Sequence, residues 1–179
     1  SMLACNGIQI LGASRETIRG SGTVVEQERT LEGITGVEFD MQGSLYIEIG
    51  SSESLRISAE DNLLDYIQSE VVADKLVIST KSGYNISEKR PITFYLTVVS
   101  LDEISINSSG DVEAGDLTAQ DFKIQLASSG DLKLGSLECD SLRANLYSSG
   151  NASLAELNAG SMIVNLFSSG DLQILGGMV

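Results

Sequence analysis

The chain has 179 residues, and its 11 Lys and Arg against 25 Asp and Glu give a net charge of −14, with no His. This charge disfavours nucleic acids and anionic lipid headgroups as partners, because both bind basic surfaces. The lack of His excludes Ser-His-Asp and Cys-His nucleophiles, and 42% hydrophobic residues indicate a globular chain.

The opening residues predict a tether. Cys5 follows small or apolar residues in the stretch Met-Leu-Ala-Cys, which resembles the processing site of a bacterial lipoprotein, where that Cys is acylated. The alternative is an ordinary Cys in an unstructured N-terminus. No apolar run of 18 residues occurs, so lipid at Cys5 is the one membrane attachment we expect. We assign residues 1–19 to a leader or tether and residues 20–179 to a single domain.

The first half of this domain carries segments with the alternating or β-rich character of strands. These segments are 23–30, 39–47, 55–59, 75–80 and 92–99. Residues 61–66 predict a helical turn that Asp61 or Asn62 caps. The segment 39–47 has the same strand, Gly turn and strand as segment 126–134. We therefore expect residues 20–100 to form irregular N-terminal coils of the structure that follows.

A repeat of 20 residues fills residues 101–179. Four copies of Ser-Ser-Gly-Asp recur in register, and the third copy ends in Asn. The glycines of the four copies are Gly110, Gly130, Gly150 and Gly170. Their last residues are Asp111, Asp131, Asn151 and Asp171. Apolar residues lie two apart on both sides of each turn, which indicates short strands with one buried face.

A unit that buries its apolar side chains only against copies of itself is typical of a solenoid. We therefore predict an all-β fold, a right-handed parallel β-helix with three sides and 20-residue coils. Successive coils would pair in parallel about 4.8 Å apart. A leucine-rich repeat has a similar period, but it needs leucines at three-residue spacing and an Asn ladder, which this pattern fits poorly.

Four motifs carry a family resemblance. They are Gly-Ser-Gly at 20–22, Gly-Ile-Thr-Gly-Val at 33–37, Asp-Asn-Leu-Leu at 61–64 and the Ser-Ser-Gly-Asp repeat. Together they resemble the family called "putative autotransporter adhesin, head GIN domain" over residues 20–170. The resemblance implies secreted or lipid-anchored proteins of the cell envelope, common in Bacteroidetes. It also implies a parallel β-helix, adhesion to a surface ligand, and no established enzymatic activity.

The acidic ladder, which we define as Asp111, Asp131, Asn151 and Asp171, is expected to line one edge at the spacing of the coils. Stacked carboxylates repel unless they are screened, hydrogen-bonded or bridged by a cation such as Ca²⁺. The alternative, which we favour, is a structural role in which each Asp accepts backbone N–H bonds within its own Gly turn. We therefore predict no metal site and no cofactor.

Two aromatic residues form the candidate ligand-binding site. Tyr147 and Phe167 occupy the same repeat position as Asn107 and Ala127, one place beyond the buried leucines. Stacked, exposed rings can form a ledge for sugar rings or for an apolar side chain of a partner protein. The alternative is that they pack across strands and only stabilise the sheet.

The predicted function is a non-catalytic, structural or adhesin-like domain of the cell envelope, periplasmic, on the cell surface or secreted. It would present a flat β face to a glycan or protein. A polysaccharide lyase or hydrolase is the alternative, because parallel β-helices host both. We assign no catalytic residue, since no long insertion interrupts the repeats to build a cleft. Cys139 falls at an inward position and is predicted to be a small buried hydrophobe.

The last repeat predicts a further contact. Leu175, Met178 and Val179 lie beyond Asp171 with no charged residue among them. Open strand edges and apolar surface favour pairing. We expect either a homo-oligomer formed through the solenoid end or a covering segment from the N-terminal half.

Overall fold

The computed structural model describes residues 15–179, and the predicted all-β class is confirmed. The strands are β1 (Glu16–Arg19), β2 (Val24–Thr30), β3 (Gly36–Asp40), β4 (Ser44–Ile49), β5 (Ser54–Glu60), β6 (Ile67–Val72), β7 (Lys75–Thr80), β8 (Tyr84–Ser87), β9 (Thr93–Val98), β10 (Glu103–Ile106), β11 (Asp111–Ala114), β12 (Leu117–Leu126), β13 (Leu132–Leu146), β14 (Ala152–Leu166), β15 (Leu172–Ile174) and β16 (Gly177–Met178). A 3₁₀ helix, Asp61–Tyr66, joins β5 to β6. Cys5 lies outside the described residues, whereas the end of the predicted tether forms β1, which pairs with β8.

The predicted right-handed parallel β-helix is wrong. Fourteen strands form one curled, half-barrel sheet of mixed orientation. Its order is β2-β5-β9-β4-β11-β13-β12-β10-β3-β7-β6, with β14 beside β13, and β15 and β16 beside β14. The pairs β2–β5, β5–β9 and β6–β7 are antiparallel. Within residues 20–100, β3 and β4 continue the parallel pairing of the repeat, with Phe39 beside Ile106 and Leu45 beside Val112. The antiparallel strands β2, β5 and β6 are the part that does not continue it.

A tight turn gives the clearest reason for the mixed orientation. Strands β6 and β7 are joined by Ala73 and Asp74 alone, with φ angles of 48° and 65°. Left-handed φ at both central residues is the geometry of a two-residue type I′ hairpin. Such a connection can join antiparallel strands only, because parallel strands need a crossover of a dozen or more residues.

The 20-residue spacing is nevertheless present in the register of the second half. Ile106 pairs with Leu126, Leu126 with Leu146, and Leu146 with Leu166, all in parallel strands. The inward side chains join one continuous hydrophobic core with those of the N-terminal half. In that half, Phe39 and Phe94 meet edge to face with their ring centroids 5.3 Å apart.

Close backbone contact explains the repeated glycines. A Cβ atom built on Gly130 would overlap the carbonyl oxygen of Gly110, and one on Gly150 would overlap that of Gly130. Gly170 has the same relation to Gly150. None of these glycines has a left-handed φ. They are required because each turn lies against the turn before it, and not because the turn needs an unusual conformation.

Candidate functional site

The aromatic ledge, defined as Tyr147 and Phe167, forms as the sequence predicts. The two rings are parallel within 3°, with centroids 5.0 Å apart, and the residues are 50% and 65% exposed. The Tyr147 N–H donates to the Leu126 carbonyl at 2.8 Å, and the Phe167 N–H donates to the Leu146 carbonyl at 2.9 Å. The backbone pairing of the repeat therefore holds the rings one above the other.

The small side chain of Ala127 leaves space beside the ledge. Ala127 occupies the repeat position before Tyr147, and exposed Asn107 occupies the one before that. Two interstrand spacings separate Asn107 from Tyr147, which is about 10 Å. Phe167 covers one face of the Tyr147 ring, and the small residue Ala127 is the neighbour on the opposite side.

Polar side chains flank the ledge on the same sheet face. The Asn165 amide donates through Nδ2 to Oδ1 of Asn145 at 2.8 Å, which fixes both amides next to the rings. Arg143 is exposed two residues before Asn145, so alternation along β13 puts it on this face as well. The arrangement combines aromatic faces with hydrogen-bond donors, as a sugar-binding surface requires.

A charged cluster around Glu103 lies on the same sheet face, away from the two rings. Glu103 Oε1 accepts from Lys75 Nζ at 2.9 Å and from Lys123 Nζ at 3.2 Å. Ser105 Oγ and Gln125 Nε2 also donate to it, at 3.0 and 3.1 Å. Burial acts to raise the pKa of Glu103, but the hydrogen bonds from the two lysines and Ser105 outweigh it and lower this pKa to about 2. A carboxylate held ionised in this way stabilises the sheet and is no general acid near neutral pH.

The acidic ladder hydrogen-bonds from one repeat to the next. Oδ1 of Asp111 accepts from the Asp131 N–H at 3.0 Å, and Oδ1 of Asp131 accepts from the Asn151 N–H at 2.8 Å. Oδ1 of Asn151 accepts from the Asp171 N–H at 3.1 Å. Each of these three side chains thus bonds to the following turn and not to its own. Within residues 15–179, no group of three or more His, Cys, Asp or Glu side chains is placed to hold a metal ion.

A second aromatic pair was missed by the sequence reasoning. Tyr46 on β4 and Tyr95 on β9 stack with centroids 5.6 Å apart, and they are 41% and 38% exposed. The guanidinium of Arg56 on β5 lies 4.0 Å from the centre of the Tyr95 ring. Tyr46 lies in segment 39–47, which matches the repeat, but β9 and β5 fall outside it. The sequence therefore offered only their alternating pattern, which does not show which strands are neighbours.

Cys139 is buried, and burial followed by the charges of Asp140 and Asp121 raises the pKa of its thiol. It therefore remains a protonated, small hydrophobic side chain near neutral pH.

The outer edge of β14 is open in the described part of the chain. Strands β15 and β16 pair with residues 152–154 and 157–158 of β14. The later residues Ile163, Leu166 and Phe167 are exposed, and no strand from the N-terminal half pairs with β14. The expected covering segment is therefore not found among residues 15–179. No helix in these residues has the length and apolar character needed to cross a membrane.

Solved structures with a similar fold come from several bacteria. A "putative adhesin" from Bacteroides fragilis has a TM-score of 0.67 and 16% identity, covering 88% of this chain and 99% of its own. Another "putative adhesin", from Parabacteroides merdae, has a TM-score of 0.55 and 12% identity, covering 89% and 99%. A "putative cell adhesion protein" from Clostridium sporogenes has a TM-score of 0.51 and 12% identity, covering 87% and 100%. At these identities the similarity shows the fold alone.

A search of curated proteins gives no match. The family model described as "Putative auto-transporter adhesin, head GIN domain" matches residues 33–177, which confirms the resemblance seen in the motifs. The chain belongs to this family.

Proposed function

We propose that this chain is a non-catalytic, adhesin-like binding domain of the cell envelope, and that its aromatic ledge holds a surface glycan. The observation that carries the proposal is the pair of parallel, largely exposed rings of Tyr147 and Phe167. Exposed, stacked rings offer apolar surface to which another molecule can bind. Membership of a family named for adhesins supports the same function.

A glycan suits the ledge because a pyranose ring has an apolar C–H face and a polar rim. The C–H face can stack on Tyr147 above Ala127, while the polar rim meets the amides of Asn145 and Asn165 that flank the rings. A protein ligand that inserts an apolar side chain is the second candidate, and it would use the rings without the polar groups. Attachment of the domain to the envelope through acylated Cys5 is part of the proposal.

Catalysis is less well supported than binding. Glycoside hydrolysis needs two carboxyl groups across a cleft, one of them with a raised pKa. Burial raises the pKa of Asp40, against a smaller lowering by Arg15. Asp40 borders a cavity of about 400 Å³, together with Arg15, Lys81 and Tyr84, but it is the one carboxylate among the described residues that line it. This geometry lacks the second carboxylate that hydrolysis requires.

The test is a glycan-array screen followed by titration of the best glycan against the double variant Tyr147→Ala, Phe167→Ala. We expect affinity to fall at least about tenfold, the equivalent of roughly 1.4 kcal/mol. The control is Tyr46→Ala, Tyr95→Ala, which removes the same kind of side chain elsewhere and should leave glycan affinity unchanged. Equal affinity of wild type and ledge variant would refute the site. New reducing ends or unsaturated products from an acidic polysaccharide would refute the non-catalytic assignment.

We also propose self-association through the open edge of β14. Unpaired strand edges with exposed apolar side chains favour pairing with another chain. A Lys in place of Ile163 would repel a second copy of the edge. Light scattering should show a dimer for the wild type and a monomer for Ile163→Lys, and a wild-type monomer at high concentration would contradict the proposal.

A further inference from the structure

The tyrosine pair, Tyr46 and Tyr95, already holds one cation of the chain itself. The Arg56 guanidinium lies 4.0 Å from the centre of the Tyr95 ring, and Arg56 Nη1 forms an ion pair with Glu26 Oε1 at 2.6 Å. The guanidinium is thus held between an aromatic face and a carboxylate. This is the usual geometry of a cation–π contact, in which the electron-rich face of the ring attracts the charge.

The other end of the pair has the same components without a bound cation of its own. Tyr46 stacks on Tyr95 with one face, and its opposite side borders Glu113, its neighbour across β4 and β11. Glu113 is exposed, and among residues 15–179 its carboxylate takes part in no ion pair or side-chain hydrogen bond. Glu113 lies directly across from Tyr46, as Arg56 lies directly across from Tyr95, so a carboxylate stands beside the outer face of Tyr46.

Two cavities meet at this end of the pair. One, of about 150 Å³, is lined by Tyr46, Asp111, Glu113, Asp131 and Lys133. The other, of about 280 Å³, is bordered by Tyr46, Glu48 and Glu113 as well as by the Arg56 side. Around Tyr46 the carboxylates outnumber the single lysine, and the whole chain carries a charge of −14. This potential attracts cations and steers them toward the site.

We propose that the open face of Tyr46 binds an arginine or lysine side chain of a partner protein, with Glu113 as its counter-ion. The bound group repeats at Tyr46 the contact that Arg56 makes at Tyr95. This site is separate from the aromatic ledge and does not rest on the glycan proposal. Lys133 faces Glu113 across β11 and β13 and competes for the same carboxylate.

The test titrates the ¹⁵N-labelled protein, at low salt, with the peptide acetyl-Gly-Arg-Gly-Arg-amide, observed by NMR. A citrulline version keeps the shape and hydrogen-bonding groups but lacks the charge. We expect the citrulline peptide to bind at least fivefold more weakly, and Tyr46→Leu and Glu113→Gln each to weaken the arginine peptide at least threefold. Lys133→Gln should tighten binding about twofold, because it removes the competing cation.

Matched controls separate this site from diffuse attraction to an acidic protein. Glu138→Gln removes one exposed carboxylate elsewhere, and Tyr147→Leu removes a ring of the ledge. Both should leave the affinity for the arginine peptide within experimental error. If Glu138→Gln weakens binding as much as Glu113→Gln, or if the citrulline peptide binds equally well, the proposal is overturned. Binding of a neutral oligosaccharide that depends on Tyr46, without binding of the peptide, would also overturn it and assign the site to sugars. Because Tyr46→Leu alters the stacked pair, the exposed Glu113→Gln variant decides the outcome if Tyr46→Leu fails to fold.

Discussion

The contact between glycine turns can be tested by adding one methyl group. In Gly150→Ala, the new Cβ would overlap the carbonyl oxygens of both Gly130 and Ser128. Because both oxygens belong to the backbone, the neighbouring repeats must separate locally to accommodate it. Overpacking of this kind costs about 1–3 kcal/mol. We expect Gly150→Ala to lower the free energy of unfolding.

Gly115→Ala is the matched control. A Cβ at Gly115 meets no heavy atom within 4 Å, and its φ is not left-handed. Both substitutions restrict the unfolded chain equally, which alone stabilises a protein by about 0.4–1 kcal/mol. The difference in stability between the two variants therefore isolates the cost of the overlap, about 1–3 kcal/mol.

Urea unfolding followed by far-UV circular dichroism measures this difference. The midpoint should be lowest for Gly150→Ala and equal to or above that of the wild type for Gly115→Ala, with the same m-value throughout. Equal midpoints for the two variants would show that the turns do not lie in backbone contact, and the explanation of the repeated glycines would fail.

Three further predictions concern charge and reactivity. Because the pKa of Glu103 is lowered to about 2, its contribution to stability is complete above about pH 4.5 and is lost as the pH falls toward 2. Glu103→Gln should therefore lower the free energy of unfolding by about 1–2 kcal/mol at pH 7, after allowance for solvent screening, and by almost nothing at pH 2. A difference between variant and wild type that stays constant across this pH range would contradict the prediction. Asn151→Asp places a carboxylate beside Asp131 and removes the Nδ2 donor that bonds to it at 3.1 Å. It should lower stability by about 1 kcal/mol at pH 7, as measured by thermal unfolding. Cys139 is buried with a raised thiol pKa, so its reaction with a thiol reagent at pH 7.5 should become fast only in denaturant, and rapid labelling of the native protein would show that the site opens.

The period of 20 residues allowed the second half to be predicted at the level of single contacts. Equal spacing places Tyr147 beside Phe167 and Leu146 beside Leu166, since parallel strands that repeat must pair like with like. The same spacing gave no information on whether strands outside the repeats are parallel or antiparallel. Extending it to segment 39–47 was right, since Phe39 pairs with Ile106 and Leu45 with Val112 in parallel strands. Extending it to β2, β5 and β6, which pair antiparallel, produced the error in the overall fold.

The first half depends on contacts between distant residues with no repeated signal. Val25 pairs with Ala59, and Leu55 pairs with Leu96, both in antiparallel strands. The sequence did not predict the hairpin at Ala73, because its turn lacks the Asn-Gly pair that usually indicates type I′ geometry. Hydrophobic alternation identifies a strand but not its partner.

Glu60 gives the structural reason for the Gly-Ser-Gly motif, which the sequence alone did not show. Its buried carboxylate accepts hydrogen bonds from the N–H groups of Gly22, Lys89 and Arg90, and a Cβ at Gly20 would overlap it. The Gly-Ser-Gly motif at 20–22 therefore makes room for this carboxylate. Glu60, and not Asp61 or Asn62, is the N-cap of the 3₁₀ helix, without a side-chain bond, whereas Asp61 Oδ1 accepts from the Asn62 N–H at 2.7 Å within the first turn.

The bonding of each turn to the next makes the size of the ledge adjustable. Duplicating residues 147–166 would insert one unit whose glycine, acceptor carboxamide and leucines meet the same neighbours as the original. The insertion would add a second tyrosine between Tyr147 and Phe167 and so present three rings in one row. Gene duplication within this stretch would lengthen the row of rings while leaving the rest of the sheet untouched, and under the proposed glycan binding each added unit would extend the contact along a polymer by about one interstrand spacing.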